Sequence, residues 1–200
     1  MKKTFYLVRH AKKLKTKGNP PISSDGQNQA IKVANYLSKF PIEKIYSSPI
    51  LRAKETAEII SNKLGVKYEV NALLKERANW GGCPNQSFED FLKMWDKSSN
   101  NRKWLPPIGD SAYQAGKRLE KIINIISKSR CNHVALVTHG GIITDFLLNI
   151  FSKKYLDNIL KDFSKKREAL LDQGTITTIN YDTESKKHEV IKLASTEYLI

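Results

Sequence analysis

The chain is poor in the residues that cross-link a fold. Two cysteines, Cys83 and Cys131, stand among 200 residues. They have no CxxC spacing, which excludes a disulfide scaffold and a cysteine metal cluster. Both read as reduced thiols of a cytoplasmic protein. The four histidines form no tight ligand group, so no metal ion and no cofactor is expected. No apolar run approaches the ~18 residues of a membrane-spanning helix, so no membrane partner is expected. Met1-Lys2-Lys3 opens like a secretory leader, but the apolar stretch 5–8 is interrupted by Arg9 and His10. A leader needs roughly 7–15 apolar residues, and a cytoplasmic location is the expectation. Repeats and low-complexity tracts are absent too. With 40% hydrophobic and 27% charged residues, wholesale disorder and collagen-like structure are excluded.

Acid is scarce at the start. Asp25 is the first carboxylate, after Lys2, Lys3, Arg9, Lys12, Lys13, Lys15 and Lys17. Over the whole chain 34 basic residues face 20 acidic ones, a net charge of +14. Such a field draws in anions and speeds their encounter. Phosphorylated metabolites, nucleic acid and a membrane surface all fit that sign, as does a lysine-rich surface kept for solubility.

What is present is an alternation of strands and helices. Short β-branched and aromatic runs predict strands at 4–8, 42–46, 66–70 and 133–138. Apolar residues at helical spacing predict a helix capped by Ser24 or Asp25 and running through Ala30, Val33, Ala34 and Leu37, and others over 51–64 closed by Gly65, through Leu119–Ile126, and over 142–150. A single further helix is predicted over 156–171. Residues 175–181 and 189–193 read as paired closing strands joined at 182–187. The stretch 74–111 differs: it carries Trp80, Trp95, Trp104, three prolines and Gly81-Gly82. It reads as an irregular excursion with one short helix near 88–95, of the kind that covers an active site. One domain over 1–200 with a cap-like excursion at about 74–111 is the expectation, in the α/β class.

In such sheets, sites gather at the carboxyl ends of strands. Three exits matter: Arg9-His10, residues 47–52, and His139-Gly140-Gly141. Known phosphate chemistries fail elsewhere. The one Gly-Lys pair, Gly116-Lys117, is followed by Arg118, so no Walker loop exists. Glu89 and Val137 stand where a cysteine phosphatase needs arginine, six residues after Cys83 and Cys131. No Asp-x-Asp offers an aspartyl phosphate. Histidine remains. Neutral imidazole attacks phosphorus well, and a covalent step divides one hard displacement into two. Guanidinium groups beside His10 would oppose its protonation. Arg9 and Arg52 can grip phosphoryl oxygens in bidentate fashion. His139 can donate to another oxygen, and Gly140 permits close backbone approach. Taken singly, each of these residues also has a structural reading.

Together they carry a resemblance. Leu7-Val8-Arg9-His10-Ala11 resembles the Arg-His-Gly signature of the histidine phosphatase superfamily, the phosphoglycerate mutase-like proteins. Tyr46-Ser47-Ser48-Pro49-Ile50-Leu51-Arg52-Ala53-Lys54-Glu55-Thr56-Ala57 is similar to a second family segment. Leu74-Lys75-Glu76-Arg77 with Trp80-Gly81 resembles its acid segment, and Val137-Thr138-His139-Gly140-Gly141 its second-histidine motif. Weaker echoes are Ser24-x-Gly26-x-x-Gln29, Gly109-Asp110-Ser111 and Gly174-Thr175-Ile176. The match spans roughly residues 5–181.

The resemblance implies a three-layer α/β/α sandwich around a mostly parallel mixed sheet. It implies His10 as nucleophile, Arg9, Arg52 and His139 as the phosphate pocket, and Glu76 as general acid. No metal or organic cofactor is implied. The chain departs from the pattern at Ala11, which replaces glycine, and at Asp110, which replaces glutamate. After Ala11 the usual continuation is missing, which leaves Thr16, Gly18 and Asn19 as candidate phosphate contacts. The chain lacks the longer insertion typical of the mutases, so a phosphomonoesterase acting on a small phosphorylated substrate is the expectation. Phosphoglycerate mutase-type transfer is the alternative within the family, and a non-catalytic basic binding module the alternative outside it. Nucleic acid is not an expected partner, since no nucleic-acid module is recognisable. Lys12, Lys13, Lys15, Lys17, Arg77, Arg102 and Lys103 read either as plain surface or as a preference for substrates with more than one negative group.

Overall fold

A computed structural model describes residues 1–199. Its elements are β1 (Lys2–Arg9), α1 (Ser24–Leu37), β2 (Lys44–Ser47), α2 (Leu51–Leu64), β3 (Tyr68–Val70), α3 (Phe88–Asn100), α4 (Ala112–Ile126), β4 (His133–Thr138), α5 (Gly140–Ile150), α6 (Lys153–Ile159), α7 (Phe163–Lys166), β5 (Ile176–Asp182) and β6 (His188–Ser195). The six strands form one sheet in the order β3-β2-β4-β1-β5-β6. The first four of these run parallel, and β5 and β6 close the sheet antiparallel.

Side-chain alternation along β1 explains the layers. Phe5 and Leu7 point to one face, where they join Leu119, Ile122 and Ile123 of α4 and Ile142, Ile143 and Phe146 of α5. Tyr6 and Val8 point to the other, against Val33, Ala34 and Leu37 of α1 and Ala53, Ala57 and Ile60 of α2. Central parallel strands are covered on both faces, so they read as unbroken apolar runs. Local chemistry sets the helix ends. The cap of α1 is Ser23, one residue before the expected Ser24, because its hydroxyl accepts from Gly26 N–H; Ser111 and Gln114 form a capping box, and Gly65 ends α2 in the left-handed region.

The helix predicted over 156–171 is broken. It becomes α6, α7 and a 3₁₀ turn at Arg167–Leu170. Asp162 and Arg167 take left-handed φ of 63° and 52°, and the Asp157 carboxylate reaches over the bend to accept from both the N–H and the hydroxyl of Ser164. The break lets Leu156, Phe163 and Leu171 all reach the core. It also carries the carbonyls of Glu168 and Leu171 to Arg9. Three other predicted helices begin or end differently as well. The short helix of the excursion runs on to Asn100, α4 begins at Ala112, and α5 begins at Gly140.

Candidate active site

Strand register brings the two histidines together. β1 and β4 are parallel neighbours with Arg9 opposite Thr138. The next residue of each strand is His10 and His139, so their rings emerge side by side. The centroids lie 5.2 Å apart at 62°. On the far side of β4, Ser47 pairs with Val137, which brings Ser48 to His139. Arg52 follows in the first turn of α2.

The hydrogen bonds define the ring states. His10 Nδ1 lies 2.8 Å from the Ala11 carbonyl oxygen. A carbonyl only accepts, so Nδ1 carries the proton and Nε2 bears the lone pair. Arg52 Nε–H donates to that lone pair at 3.0 Å. His10 is 4% exposed and His139 is fully buried. Burial first, then the guanidiniums of Arg52 and Arg9, hold the His10 pKa well below the ordinary histidine value. Burial and Arg52 do the same for His139. His139 Nε2 is 2.8 Å from the Ser48 hydroxyl, while its buried Nδ1 has no protein partner among the described residues.

The cationic walls are themselves held. Burial lowers Arg52 to about 10, so it stays charged at neutral pH. Its Nη1 donates to Asn79 Oδ1 at 3.2 Å. Arg9 donates to the carbonyls of Glu168 and Leu171 and packs flat against Gly140. Glu76 sits at the start of α5, accepting from the N–H groups of Gly141 and Ile142 at 3.0 Å each and of Arg77 at 2.9 Å. A Cβ on Gly141 would stand 2.6 Å from Glu76 Oε1 and from the Trp95 ring. Only glycine lets the carboxylate approach this helix end so closely.

Arg9, His10, Arg52, Glu76, Gly140 and Thr16 line one cavity of about 440 Å³. His139 lies buried behind it against His10. Asn19 is placed differently: its side-chain oxygen accepts from Leu51 N–H at 2.9 Å, at the start of α2. It holds the helix that carries Arg52. Arg77 and Arg102, grouped from the sequence with substrate-attracting cations, are occupied elsewhere. Arg77 is 2% exposed, and both arginines bind the buried Asp145 carboxylate at 3.1–3.2 Å. Lys12 pairs with Asp25 at 2.7 Å. Of the seven basic residues in that group, Lys13 is the one that lines the cavity.

Several members were missed from the sequence. Ser48 stands inside a matched segment with no role the sequence assigns, Asn79 and Glu168 carry no sequence signal of their own, and the apolar side of α3 shows in the sequence only as helical spacing. Gln29 carried a signal in the Gly26-x-x-Gln29 echo. It accepts from Lys12 N–H at 2.8 Å and donates to the Gln173 carbonyl at 2.5 Å, clamping the loop after His10.

Residues 5–191 match the family described as Histidine phosphatase superfamily (branch 1). The chain is 31% identical over 153 residues to Putative phosphoserine phosphatase 2 of Hydrogenobacter thermophilus, covering 70% of this chain and 74% of that protein. It is 24% identical over 151 residues to Probable phosphoglycerate mutase GpmB of Escherichia fergusonii, covering 68% of each. The solved structure of a mycobacterial glucosyl-3-phosphoglycerate phosphatase matches with a TM-score of 0.74 at 19% identity, over 98% of this chain and 100% of that one. At that identity the likeness speaks for the fold.

Proposed function

The chain belongs to the histidine phosphatase superfamily, and from that premise we propose that it is a phosphomonoesterase working through a phosphohistidine on His10. The observation that carries the reading is the His10 ring. Its Nδ1 proton is committed to the Ala11 carbonyl and its Nε2 lone pair faces Arg52. A bound phosphoryl group takes over the Arg52 N–H groups and meets Nε2 directly. The lone pair attacks phosphorus, the P–O bond to the alcohol breaks, and the leaving oxygen takes a proton from the Glu76 carboxyl. In the second half, Glu76 takes a proton from water as that water attacks the phosphohistidine. Inorganic phosphate leaves and His10 returns to its neutral form. Arg9, Arg52 and the Nδ1 side of His139 stabilise the charge spread over the three equatorial oxygens. No step calls on a metal ion or an organic cofactor. We place the enzyme in the cytoplasm, in keeping with the free thiols of Cys83 and Cys131.

Release of phosphate from an aryl phosphate tests this. His10→Ala is expected to abolish turnover and to prevent acid-labile labelling of the protein by substrate phosphate. Glu76→Gln is expected to slow esters of poor leaving groups by about 10²-fold or more, and activated aryl esters far less. Full activity in His10→Ala, or no release across a broad panel of esters, sinks the reading. Isomerisation of phosphoglycerate faster than its hydrolysis would favour mutase activity, the name carried by the Escherichia relative.

A further inference from the structure

Helix α3 does not behave as a surface helix. Its apolar residues Phe88, Phe91, Leu92 and Trp95 fall at i, i+3, i+4 and i+7, one continuous stripe. Such a stripe ordinarily faces a core. Here the buried residues of the helix are Ser98 and Ser99, while Phe88 and Leu92 are 52% and 44% exposed. All four stripe residues instead line the cavity that holds His10. The rings form a chain: Trp80 to Phe88 at 5.0 Å, Phe88 to Phe91 at 6.4 Å, and Phe91 to Trp95 at 5.8 Å.

The stripe is anchored at its inner end. The Arg77 guanidinium stacks 3.6 Å from the Trp95 ring centroid, and the Trp95 indole N–H donates to Glu168. A wall so fixed and so apolar next to a phosphate-binding site is a binding surface for whatever the phosphate is attached to.

The charges agree. The cations lining the cavity are Arg9, Arg52 and Lys13, and Lys13 lies within the field of both arginines, at the phosphoryl end. The carboxylates lining it are Glu76, Asp96 and Glu168. A second negative group on the substrate would meet the carboxylate of Asp96 in the lining and find Arg77 and Arg102 already bound to Asp145.

We infer that the alcohol part of the substrate is aromatic or extended and apolar, and that it lies along the Phe88–Phe91–Leu92–Trp95 stripe. This rests on the phosphomonoesterase reading and narrows it away from short esters with small polar alcohol parts, such as phosphoserine.

Straight-chain ethyl, hexyl and decyl phosphates separate this from leaving-group chemistry, because their alcohols are equally poor leaving groups. Burying one methylene fully is worth about fourfold in an equilibrium constant. A trough open on one side is expected to give about half that factor per methylene, so kcat/KM should rise at least about tenfold from ethyl to hexyl phosphate. Leu92→Asp puts a charge in the trough at a position open enough to keep the fold, and should collapse the hexyl-to-ethyl ratio. A flat or falling series, a ratio untouched by Leu92→Asp, or phosphoserine hydrolysed faster than hexyl phosphate overturns the inference while leaving the phosphatase reading intact. No phosphate released from any ester removes both.

Discussion

One hydroxyl decides what His139 can offer a phosphoryl oxygen. Ser48 Oγ accepts from Ile50 N–H at 3.3 Å and lies 2.8 Å from His139 Nε2; we assign the hydroxyl proton to that second contact. An imidazole that accepts at Nε2 carries its proton at Nδ1. That second nitrogen is buried and has no protein partner among the described residues; in the reading proposed above, a phosphoryl oxygen is the acceptor it would take. Ser48→Ala removes the tautomer's anchor. A charge-assisted hydrogen bond contributes about 1.5–3 kcal/mol, so weakening it should raise the inhibition constant of inorganic phosphate roughly tenfold. Nitrogen NMR of His139 should show the proton moving toward Nε2, a change that simple loosening of the loop would not produce. An unchanged tautomer and unchanged phosphate affinity would remove Ser48 from the site. Gly141→Ala tests the neighbouring contact. A methyl group 2.6 Å from Glu76 Oε1 must push the carboxylate off its backbone donors, and hydrolysis of alkyl phosphates should fall about tenfold or more, with activated aryl esters spared.

At the level of elements, the excursion is tied to the sheet by one buried acid. Asp145 stands on α5 among Ile142, Ile143, Phe146 and Leu147, all essentially unexposed. It binds Arg77, before α3, and Arg102, after it, so both ends of the aromatic helix are moored to a helix that packs on β1. Asp145→Ala leaves two guanidiniums without their counter-charge, a loss of about 3–5 kcal/mol for a buried pair. Urea unfolding should show it as a lower midpoint, while Asp96→Ala, an exposed acid of the same excursion, should shift the midpoint little. The signal for this mooring was present in the sequence as a lone acid in an apolar helical run, but an acid does not name its partners, and Arg77 and Arg102 looked equally suited to a substrate. The two histidines of the candidate site were legible for the opposite reason. Each directly follows a strongly apolar strand, and strand order and direction then determine where the chain emerges. The break in the predicted 156–171 helix was not legible, because apolar spacing there suits a helix, while the folded-back path is favoured by contacts that spacing does not reveal: Asp157 with Ser164, and Arg9 with the Glu168 and Leu171 carbonyls.

Across the whole molecule, buried neutral histidines make the fold acid-sensitive. His188 shows it most simply, since it lies far from the phosphate chemistry, between Phe146 and Tyr181 with ring centroids at 5.3 and 4.8 Å. Burial lowers its pKa from 6.5 to about 4. The unfolded chain therefore takes up a proton at this residue below about pH 6.5, while the native state refuses it until about pH 4. Stability is fully present above pH 6.5 and declines as pH falls through that window. The shift corresponds to roughly 3 kcal/mol if undiminished, and solvent around a partly exposed ring reduces it to about 1–2 kcal/mol. For a chain of this length that is about 3–6 °C in Tm. His10 and His139 push in the same direction, and the net charge of +14 adds self-repulsion as carboxylates are protonated. His188→Phe isolates one contribution, because a phenyl ring suits the aromatic surroundings and cannot be protonated. Between pH 7 and pH 4.5 the variant should lose several degrees less in Tm than the native chain. Parallel loss in the two proteins would assign the acid sensitivity to the site histidines and to surface charge, and would leave His188 a packed ring with no part in it.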